Sequence, residues 1–175
     1  MPVQPSPCYT GGMTDIDRRT LLGAGGLLAL GSLVGCGSES PAQAQRNFPF
    51  RLSDAQWRQR LSAEAYGVLR RHNTERPGSS PLDREHRRGT FVCAGCGHRL
   101  FSSNTKFDSG TGWPSFWRPL PGAVGTTTDR AMLMERTEVH CANCGGHLGH
   151  VFDDGPRPTG LRYCMNGVAM RFQPA

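Results

Sequence analysis

From residue 88 onward, the chain alternates short apolar segments with turns that are rich in Gly, Pro and Asp. Segments of this length between turn residues are typical of β-strands. The apolar segments are Phe91-Val92, Ala131–Met134, Val139, Leu161–Tyr163 and Val168–Phe172. We therefore expect strands to dominate the C-terminal half of the chain.

The segment before residue 88 has the pattern of two short helices. Ser53 and Gln56 form an N-cap with its reciprocal side chain three positions later, and Ser62 begins a second helix. The apolar face of the second helix contains Leu61, Tyr66 and Leu69. No helix continues comfortably through Pro77-Gly78, so we expect the helical region to end there.

The first 35 residues have a different pattern, a charged pair followed by an apolar stretch. Arg18-Arg19 shortly precedes Leu21–Gly35, which carries no charge. As a helix that rises ~1.5 Å per residue, this stretch is short for a membrane span. Two arginines before such a stretch are typical of a bacterial export signal of the twin-arginine type. A buried helix of the fold is the alternative, but Gly-Ala-Gly-Gly disfavours a helix interior.

Two features indicate where the export signal ends. Leu33–Cys36 resembles the lipobox of bacterial lipoproteins, in which the cysteine becomes the lipidated first residue, and Ala42–Ala44 is a rival cleavage site. We favour Cys36, because Ala42–Ala44 lies well beyond the apolar stretch. The predicted organisation is an export signal over 1–35 with Met13 as a candidate start, a flexible tether over 36–47 and one domain over 48–175. The predicted location is the periplasm or cell envelope, with a lipid anchor as the membrane contact.

Composition and charge exclude several classes of protein. Hydrophobic residues make up 37% of the chain and charged residues 19%, a balance that fits neither a disordered tail nor a multispanning membrane protein. The formal net charge is +6, but the basic residues are scattered. We therefore expect a solvated basic surface and no nucleic-acid partner. The seven cysteines exceed what packing requires, and they carry the candidate chemistry.

Four of the cysteines form two copies of one motif, Cys-x-x-Cys-Gly. The copies are Cys93–Gly97 and Cys141–Gly145. Each places two thiolates on a tight turn, where glycine lets the backbone bend, and four thiolates complete a tetrahedral zinc site. Disulfides and redox-active pairs are alternatives, and so is a non-catalytic, zinc-stapled binding module. We predict a structural Zn²⁺ that staples one domain, with the ligands Cys93, Cys96, Cys141 and Cys144.

Cys164 remains when these four cysteines, Cys36 and Cys8 are set aside. Alternate residues of a strand point the same way, so Arg162, Cys164 and Asn166 are expected to share one face. A neighbouring guanidinium lowers the pKa of a thiol and populates the nucleophilic thiolate. The Asn166 amide can donate to a developing oxyanion. Cys164 is therefore a candidate nucleophile, with a small buried hydrophobic residue as the alternative.

Two more segments carry candidate site residues. His147 and His150 lie three residues apart, directly after the second Cys-x-x-Cys-Gly motif. They could ligate zinc, but four thiolates already fill that site. Gly110–Trp117 is dense in aromatic residues between glycines. It belongs either to the core or to the wall of a small apolar pocket.

Together, these segments resemble the B-type methionine-R-sulfoxide reductases. The resemblance covers about Asn47 to Phe172, and the similar motifs are Asp108–Phe116, both Cys-x-x-Cys-Gly motifs, His147–Pro156 and Pro158–Asn166. It implies a mainly β fold, in which two coiled antiparallel sheets form a small barrel-like core. It also implies short N-terminal helices, a catalytic domain over 48–175 and a structural zinc far from the active site.

The resemblance implies a reaction and a role for each residue. Cys164 attacks the sulfur of the R epimer of methionine sulfoxide, releases methionine and becomes a sulfenic acid. Trp113 packs against the substrate's methyl group, and Phe116 is the second substrate-binding residue. The residues that hydrogen-bond, protonate or orient the reacting groups are His147, His150, Asn166, Asp154 and Arg162. We expect oxidised proteins or methionine sulfoxide as substrate, a thioredoxin-like or other thiol reductant, no organic cofactor and a monomer.

One position departs from the family's pattern. Many members have a cysteine where this chain has Thr111, and that cysteine resolves the sulfenic acid as an intramolecular disulfide. Threonine cannot form a disulfide, and no spare cysteine remains to replace it. We therefore expect an external thiol to recycle Cys164.

Overall fold

The computed structural model describes residues 47–130 and 135–175. These residues include two α-helices, α1 (Asp54–Arg60) and α2 (Ala63–Arg71). Both begin where the sequence predicts, because the Ser53 and Ser62 side chains each accept a hydrogen bond from a backbone N–H of the first turn. The predicted end was wrong, since α2 stops at Arg71 with His72 in the left-handed conformation, well before Pro77.

Nine strands lie within the described residues. They are β1 (Gly89–Cys93), β2 (Arg99–Ser102), β3 (Lys106–Phe107), β4 (Ser115–Phe116), β5 (Val124–Asp129), β6 (Arg136–Cys141), β7 (His147–Phe152), β8 (Arg162–Met165) and β9 (Met170–Pro174). In the same described part of the chain, short 3₁₀ helices cover Pro81–Arg84, Ser103–Thr105 and Gly167–Ala169. The predicted strand segment Ala131–Met134 and the predicted export signal lie outside the described residues.

The strands form two antiparallel sheets. The smaller sheet has the order β2-β1-β9, and the larger sheet has the order β3-β4-β8-β7-β6-β5. This architecture confirms the predicted mainly β fold with two antiparallel sheets and short N-terminal helices. The order places β8 inside the larger sheet, between β4 and β7.

Aromatic side chains fill the core of the fold. Phe101 stacks on Phe116 with ring centroids 4.3 Å apart, and Phe91 meets Phe116 edge-on at 4.9 Å. From α2, Tyr66 and Leu69 are buried in the same core, as the predicted apolar face requires. No helix within 47–130 and 135–175 has the length and apolarity to cross a membrane.

Candidate active site

Cys164 lies on β8 and has a paired strand on each side. The register places it opposite Ser115 of β4 and His150 of β7, and His150 in turn lies opposite Glu138 of β6. Residues directly opposite each other on neighbouring strands share one face of the sheet. A hydroxyl, a thiol, an imidazole and a carboxylate therefore form one row across four strands. Cys164 is partly exposed, as a nucleophile that meets a substrate must be.

Hydroxyl groups surround one side of the thiol. The Thr111 Oγ1 lies 3.9 Å from the Cys164 Sγ, within the longer range of hydrogen bonds to sulfur. Ser109 links this hydroxyl to the next strand, with its Oγ 2.8 Å from Thr111 Oγ1 and 2.7 Å from Ser115 Oγ. Thr111 thus offers a hydrogen bond at the position where the resemblance described above implies a second thiol in many family members.

The Arg162 guanidinium is held beside the thiol by Asp154. Two charge-assisted hydrogen bonds of 2.8 and 2.7 Å join the two side chains, and the guanidinium also lies over the Phe152 ring, 4.5 Å from its centroid. The bond to Asp154 raises the pKa of Arg162, so the guanidinium stays charged. The structure thus brings two of the predicted site residues, Arg162 and Asp154, into contact.

The net effect on the thiol differs from the sequence expectation. Burial raises the pKa of Cys164 above its ordinary value, whereas the Thr111 hydrogen bond and the Arg162 charge act to lower it. Arg162 therefore works in the predicted direction, but desolvation of the thiolate outweighs it. The expectation of a net lowered thiol pKa was wrong, and the resting site holds mainly the neutral thiol at pH 7.

The two predicted histidines each have a carboxylate partner. His147 is buried, and its Nδ1 donates to Glu138 Oε1 at 2.9 Å, while His150 Nε2 donates to Asp129 Oδ2 at 2.9 Å. A carboxylate only accepts hydrogen bonds, so these contacts fix which ring nitrogen carries the proton. The two rings lie 5.4 Å apart, although an odd spacing on a strand would separate them. The register of β6 and β7 shifts at Val139, and such an irregularity changes the direction in which the side chains point. This shift allows the two rings to lie close together.

Burial and hydrogen-bond partners shift the pKa values of the two histidine–carboxylate pairs in different ways. Burial lowers the pKa of His150, more than its bond to Asp129 raises it, so this ring is neutral at pH 7. At the other site, burial works to raise the pKa of Glu138, but hydrogen bonds from His147 and His72 outweigh it and the net shift is downward. The Nε2 of His147 is buried and has no hydrogen-bond partner among the described residues.

A loop after α2 connects two more predicted residues. The backbone N–H of Glu75 donates to Asn166 Oδ1 at 2.9 Å, and its carbonyl accepts from Trp113 Nε1 at 3.2 Å. The Glu75 carboxylate accepts from the backbone N–H groups of Gly167 and Val168 at 2.6 and 2.8 Å. Glu75 thus fixes both the indole and the amide relative to the end of β8.

Asn166 is more constrained than the sequence suggests. It is only 3% exposed, and its Nδ2 donates to the Leu148 carbonyl at 3.0 Å. With the amide oxygen bound to Glu75, a single N–H of the amide is left for the predicted donation to a substrate oxygen. The main contribution of Asn166 in this structure is to hold the loop against β7.

Phe116 does not contact the site. It is fully buried and lies between the rings of Phe101 and Phe91 in the core. The structure thus does not bring the predicted substrate-binding residue Phe116 to the face of Cys164, because consecutive residues of a strand point to opposite faces and Ser115 takes that face. Trp113, by contrast, remains partly exposed beside the loop that carries Thr111.

The two Cys-x-x-Cys-Gly motifs converge at a separate place. The Sγ atoms of Cys93 and Cys144 lie 3.8 Å apart, and those of Cys96 and Cys141 lie 3.7 Å apart. A tetrahedral ion with bonds of ~2.3 Å to sulfur requires a spacing of about 3.8 Å between the sulfurs. The described cysteines form no disulfide, and the four thiols meet the geometry of a metal site. Gly97 and Gly145 have positive φ values of 77° and 69°, as the predicted turns require.

Several residues of the site were missed in the sequence. Glu138 and Asp129 orient the histidines, Glu75 anchors Trp113, and Ser109 bridges to Ser115. Glu138 and Asp129 come near the site only because β6 pairs with β5 and β7. Acidic residues on amphipathic strands are common, so their spacing carried no usable signal.

The fold and the site define a class: a mainly β domain in which a partly exposed cysteine, Cys164, lies outside a four-thiol cluster. A SelR domain matches residues 61–174. The chain belongs to this family of SelR domains, which confirms the resemblance to the B-type methionine-R-sulfoxide reductases.

Curated relatives support the same assignment. The chain is 56% identical over 123 residues to the peptide methionine sulfoxide reductase MsrB of Agrobacterium fabrum, an alignment that covers 70% of this chain and 91% of the relative. It is 51% identical over 128 residues to the MsrB of Leptospira interrogans, covering 73% and 98%. The MsrB of Methanosarcina barkeri is 50% identical over 122 residues, covering 69% and 86%.

Proposed function

We propose that the protein is a peptide-methionine (R)-S-oxide reductase, which reduces the R epimer of methionine sulfoxide to methionine at the expense of thiols. The observation that carries this proposal is the partly exposed Cys164 thiol, flanked by His150 and Ser115 on neighbouring strands, in a chain of the SelR family. An accessible thiol in this setting favours catalysis over a zinc-stapled binding module, which would need no such group.

Cys164 exchanges electrons with the substrate sulfur in the first half of the cycle. Its thiolate attacks the sulfoxide sulfur, the oxygen is transferred to Cys164, and methionine leaves. The substrate sulfur gains two electrons and the Cys164 sulfur loses two, so that a sulfenic acid forms. An external thiol then attacks this sulfur and releases water, and a second thiol equivalent frees Cys164 as the external disulfide forms.

The hydrogen bonds of the site suggest how protons move. Because His150 donates its Nε2–H to Asp129, the neutral ring has its free nitrogen at Nδ1. We assign this nitrogen to take the thiol proton and pass it to the sulfoxide oxygen, which turns a neutral resting thiol into a nucleophile only when substrate is present. The charge of Arg162 supports the thiolate once it forms. Trp113, fixed through Glu75, is assigned to the substrate's methyl group.

We assign a structural Zn²⁺ to the four-thiol cluster of Cys93, Cys96, Cys141 and Cys144. The spacing of the sulfurs and an all-thiolate donor set support zinc over the harder cations. The ion would tie β1 and β2 to β6 and β7, which are distant in the sequence. It takes no part in the chemistry at Cys164.

We further propose that the chain is exported and lipid-modified at Cys36. Arg18-Arg19 before the uncharged stretch Leu21–Gly35 supports export, and Leu33–Cys36 supports lipidation. A thioredoxin-like protein or another thiol in the cell envelope would then supply the reducing equivalents. A tethered domain with an accessible site suits protein-bound methionine sulfoxide.

Turnover with separated epimers tests the proposed function. A peptide that contains methionine R-sulfoxide and one that contains the S epimer are each incubated with the protein and excess dithiothreitol. We expect methionine from the R epimer alone, and loss of turnover in Cys164→Ser with an unchanged thermal unfolding midpoint. Equal rates with both epimers, or an active Cys164→Ser protein, would exclude the proposal.

A further inference from the structure

Three ligand-bearing side chains meet at the outer side of the histidine pair. His72 Nδ1 lies 3.1 Å and His147 Nδ1 lies 2.9 Å from the same oxygen, Oε1 of Glu138. The candidate ligand atoms of the three residues all lie within 4.8 Å of one another. None of them belongs to the four-thiol cluster. Two imidazoles and one carboxylate form a donor set that binds Zn²⁺, Co²⁺, Ni²⁺ and Cu²⁺ and discriminates against Ca²⁺ and Mg²⁺.

The three residues come from different parts of the fold. His72 caps the C-terminus of α2, Glu138 lies on β6 and His147 begins β7. His72 has φ = 57°, a left-handed conformation that is uncommon for residues other than Gly but in which Asn, Asp and His are enriched. In this position its ring lies against the His147 ring, with centroids 5.0 Å apart. The chain therefore brings a third ligand to a pair that already serves the active site.

The solvent exposure of His72 and the carboxylate of Glu138 would allow a cation to enter and bind the cluster. The His72 side chain is 50% exposed, whereas Glu138 and His147 are 12% and 2% exposed. An ion can thus approach from the His72 side and keep solvent molecules in its open positions. The Glu138 carboxylate lies between the two imidazoles, with its Oε1 3.1 Å from His72 Nδ1 and 2.9 Å from His147 Nδ1. A carboxylate in this position, between two imidazoles, favours a cation.

We propose that His72, Glu138 and His147 form a second, lower-affinity site for a divalent transition-metal ion, through which such an ion inhibits the reductase. Metal binding at the Nδ1 atoms displaces the protons that these atoms now donate to Glu138. In the neutral His147 ring the proton then resides on Nε2, so that this buried nitrogen changes from acceptor to donor. Filling the site therefore alters the hydrogen bonding of a residue next to His150. The inhibitory consequence rests on the proposed function, but the binding does not.

Cobalt binding to the zinc-loaded Cys164→Ser protein tests the site without any turnover. With zinc on the four-thiol cluster and the Cys164 thiol removed, no described thiol is left free to bind Co²⁺. Bound Co²⁺ should therefore absorb in the visible range without sulfur-to-metal charge transfer. We expect one Co²⁺ per chain. His72→Asn should weaken binding at least about tenfold, since even groups that only support a ligand contribute about that much to metal affinity. Asn tolerates the left-handed conformation and so retains the helix cap.

His86→Asn is the matched control, because His86 is an exposed histidine outside the cluster. It should bind Co²⁺ like the parent. Equal affinity in His72→Asn and His86→Asn, or strong sulfur charge transfer, would overturn the site. In the active protein, Co²⁺ should inhibit turnover of the R-sulfoxide peptide, and His72→Asn should resist this inhibition. If binding depends on His72 but inhibition does not, the coupling to the reductase is wrong while the metal site stands.

Discussion

At the scale of the residue, the reactivity of Cys164 depends on opposing influences. Burial raises the pKa of the thiol, and Arg162 and Thr111 lower it. Since the net pKa lies above its ordinary value, the thiolate fraction at pH 7 is small and increases as the pH rises. The resting site therefore contains a partly buried, mainly neutral thiol with His150 nearby as the base. It does not contain a permanently ionised thiol.

Arg162→Ala should raise the pKa of Cys164 further, because one of the two groups that lower it is removed. At pH 7 we expect alkylation of Cys164 by iodoacetamide, and the single-turnover rate, to fall about tenfold, the change that corresponds to one pKa unit. Both profiles should shift to higher pH. Arg162→Lys keeps the charge, so its two pH profiles should shift less. Arg171→Ala changes an exposed arginine, and its pH profiles should match those of the parent. An unchanged alkylation profile in Arg162→Ala would show that the guanidinium does not act on the thiol.

Thr111→Cys should restore an internal resolving cysteine. The Thr111 Oγ1 lies 3.9 Å from the Cys164 Sγ, and a disulfide requires the sulfurs to approach to ~2.05 Å. Gly110 and Gly112 flank the position with positive φ values, so the loop has backbone freedom to close this gap. After one turnover, mass spectrometry should find a 111–164 disulfide in this variant. Thr111→Ser is the control, and a Thr111→Cys protein that stays free of the disulfide would contradict the geometry.

The residue scale also shows what the sequence can predict. Cys164, Arg162, Asp154 and the histidine pair were predicted, because their motifs are dense and their chemistry is specific. The core position of Phe116 could not be predicted, since the pocket and core interpretations of this residue differ only in the face of the strand that it occupies. The net pKa of Cys164 was misjudged because burial is a property of the fold and is not visible in local spacing.

At the scale of the element, strand order decides which residues act together. Glu138 reaches the histidines only because β6 pairs with β7, and Cys164 meets Ser115 only because β8 pairs with β4. These pairings join segments far apart in the chain, so residue patterns predict the strands but not their neighbours. The helix starts were predicted from their caps, while the end of α2 at His72 carried no Pro or Gly signal.

Cys141→Ser should remove the metal from the four-thiol cluster and unfold or strongly destabilise the domain. Cys141 is completely buried, and structural zinc contributes ~10–16 kcal/mol of apparent binding free energy in small zinc domains. We expect loss of zinc by elemental analysis and a much lower thermal unfolding midpoint. Cys164→Ser, which removes a thiol outside the cluster, should keep the zinc content and the thermal unfolding midpoint of the parent. A Cys141→Ser protein that unfolds at the same temperature as the parent would show that the cluster does not stabilise the fold.

At the scale of the whole molecule, the activity and the location are separate questions. The described domain contains the groups assigned to the chemistry, and the export signal that we propose over 1–35 would determine where that chemistry takes place. The family assignment therefore supports the activity and leaves the location as an independent proposal.

Cys36→Ala should release the protein from the membrane fraction if Cys36 carries the anchor. Each buried CH₂ of an acyl chain contributes ~0.8 kcal/mol, so loss of all chains removes stable attachment. Cell fractionation with immunodetection measures the change, and Cys8→Ala is the matched control. Retention of Cys36→Ala in the membrane fraction would contradict lipidation at this residue, and export that persists in an Arg18→Lys, Arg19→Lys double variant would contradict the twin-arginine signal.

A single turnover without reductant tests the central claim most directly. The zinc-loaded protein is mixed with excess R-sulfoxide peptide, and Cys164 is then examined by mass spectrometry after treatment with a reagent that traps sulfenic acids. Because Thr111 cannot resolve the oxidised cysteine, the account predicts one equivalent of methionine per chain and a trapped sulfenic acid on Cys164. An intramolecular disulfide that includes Cys164, formed while zinc stays bound, would contradict it.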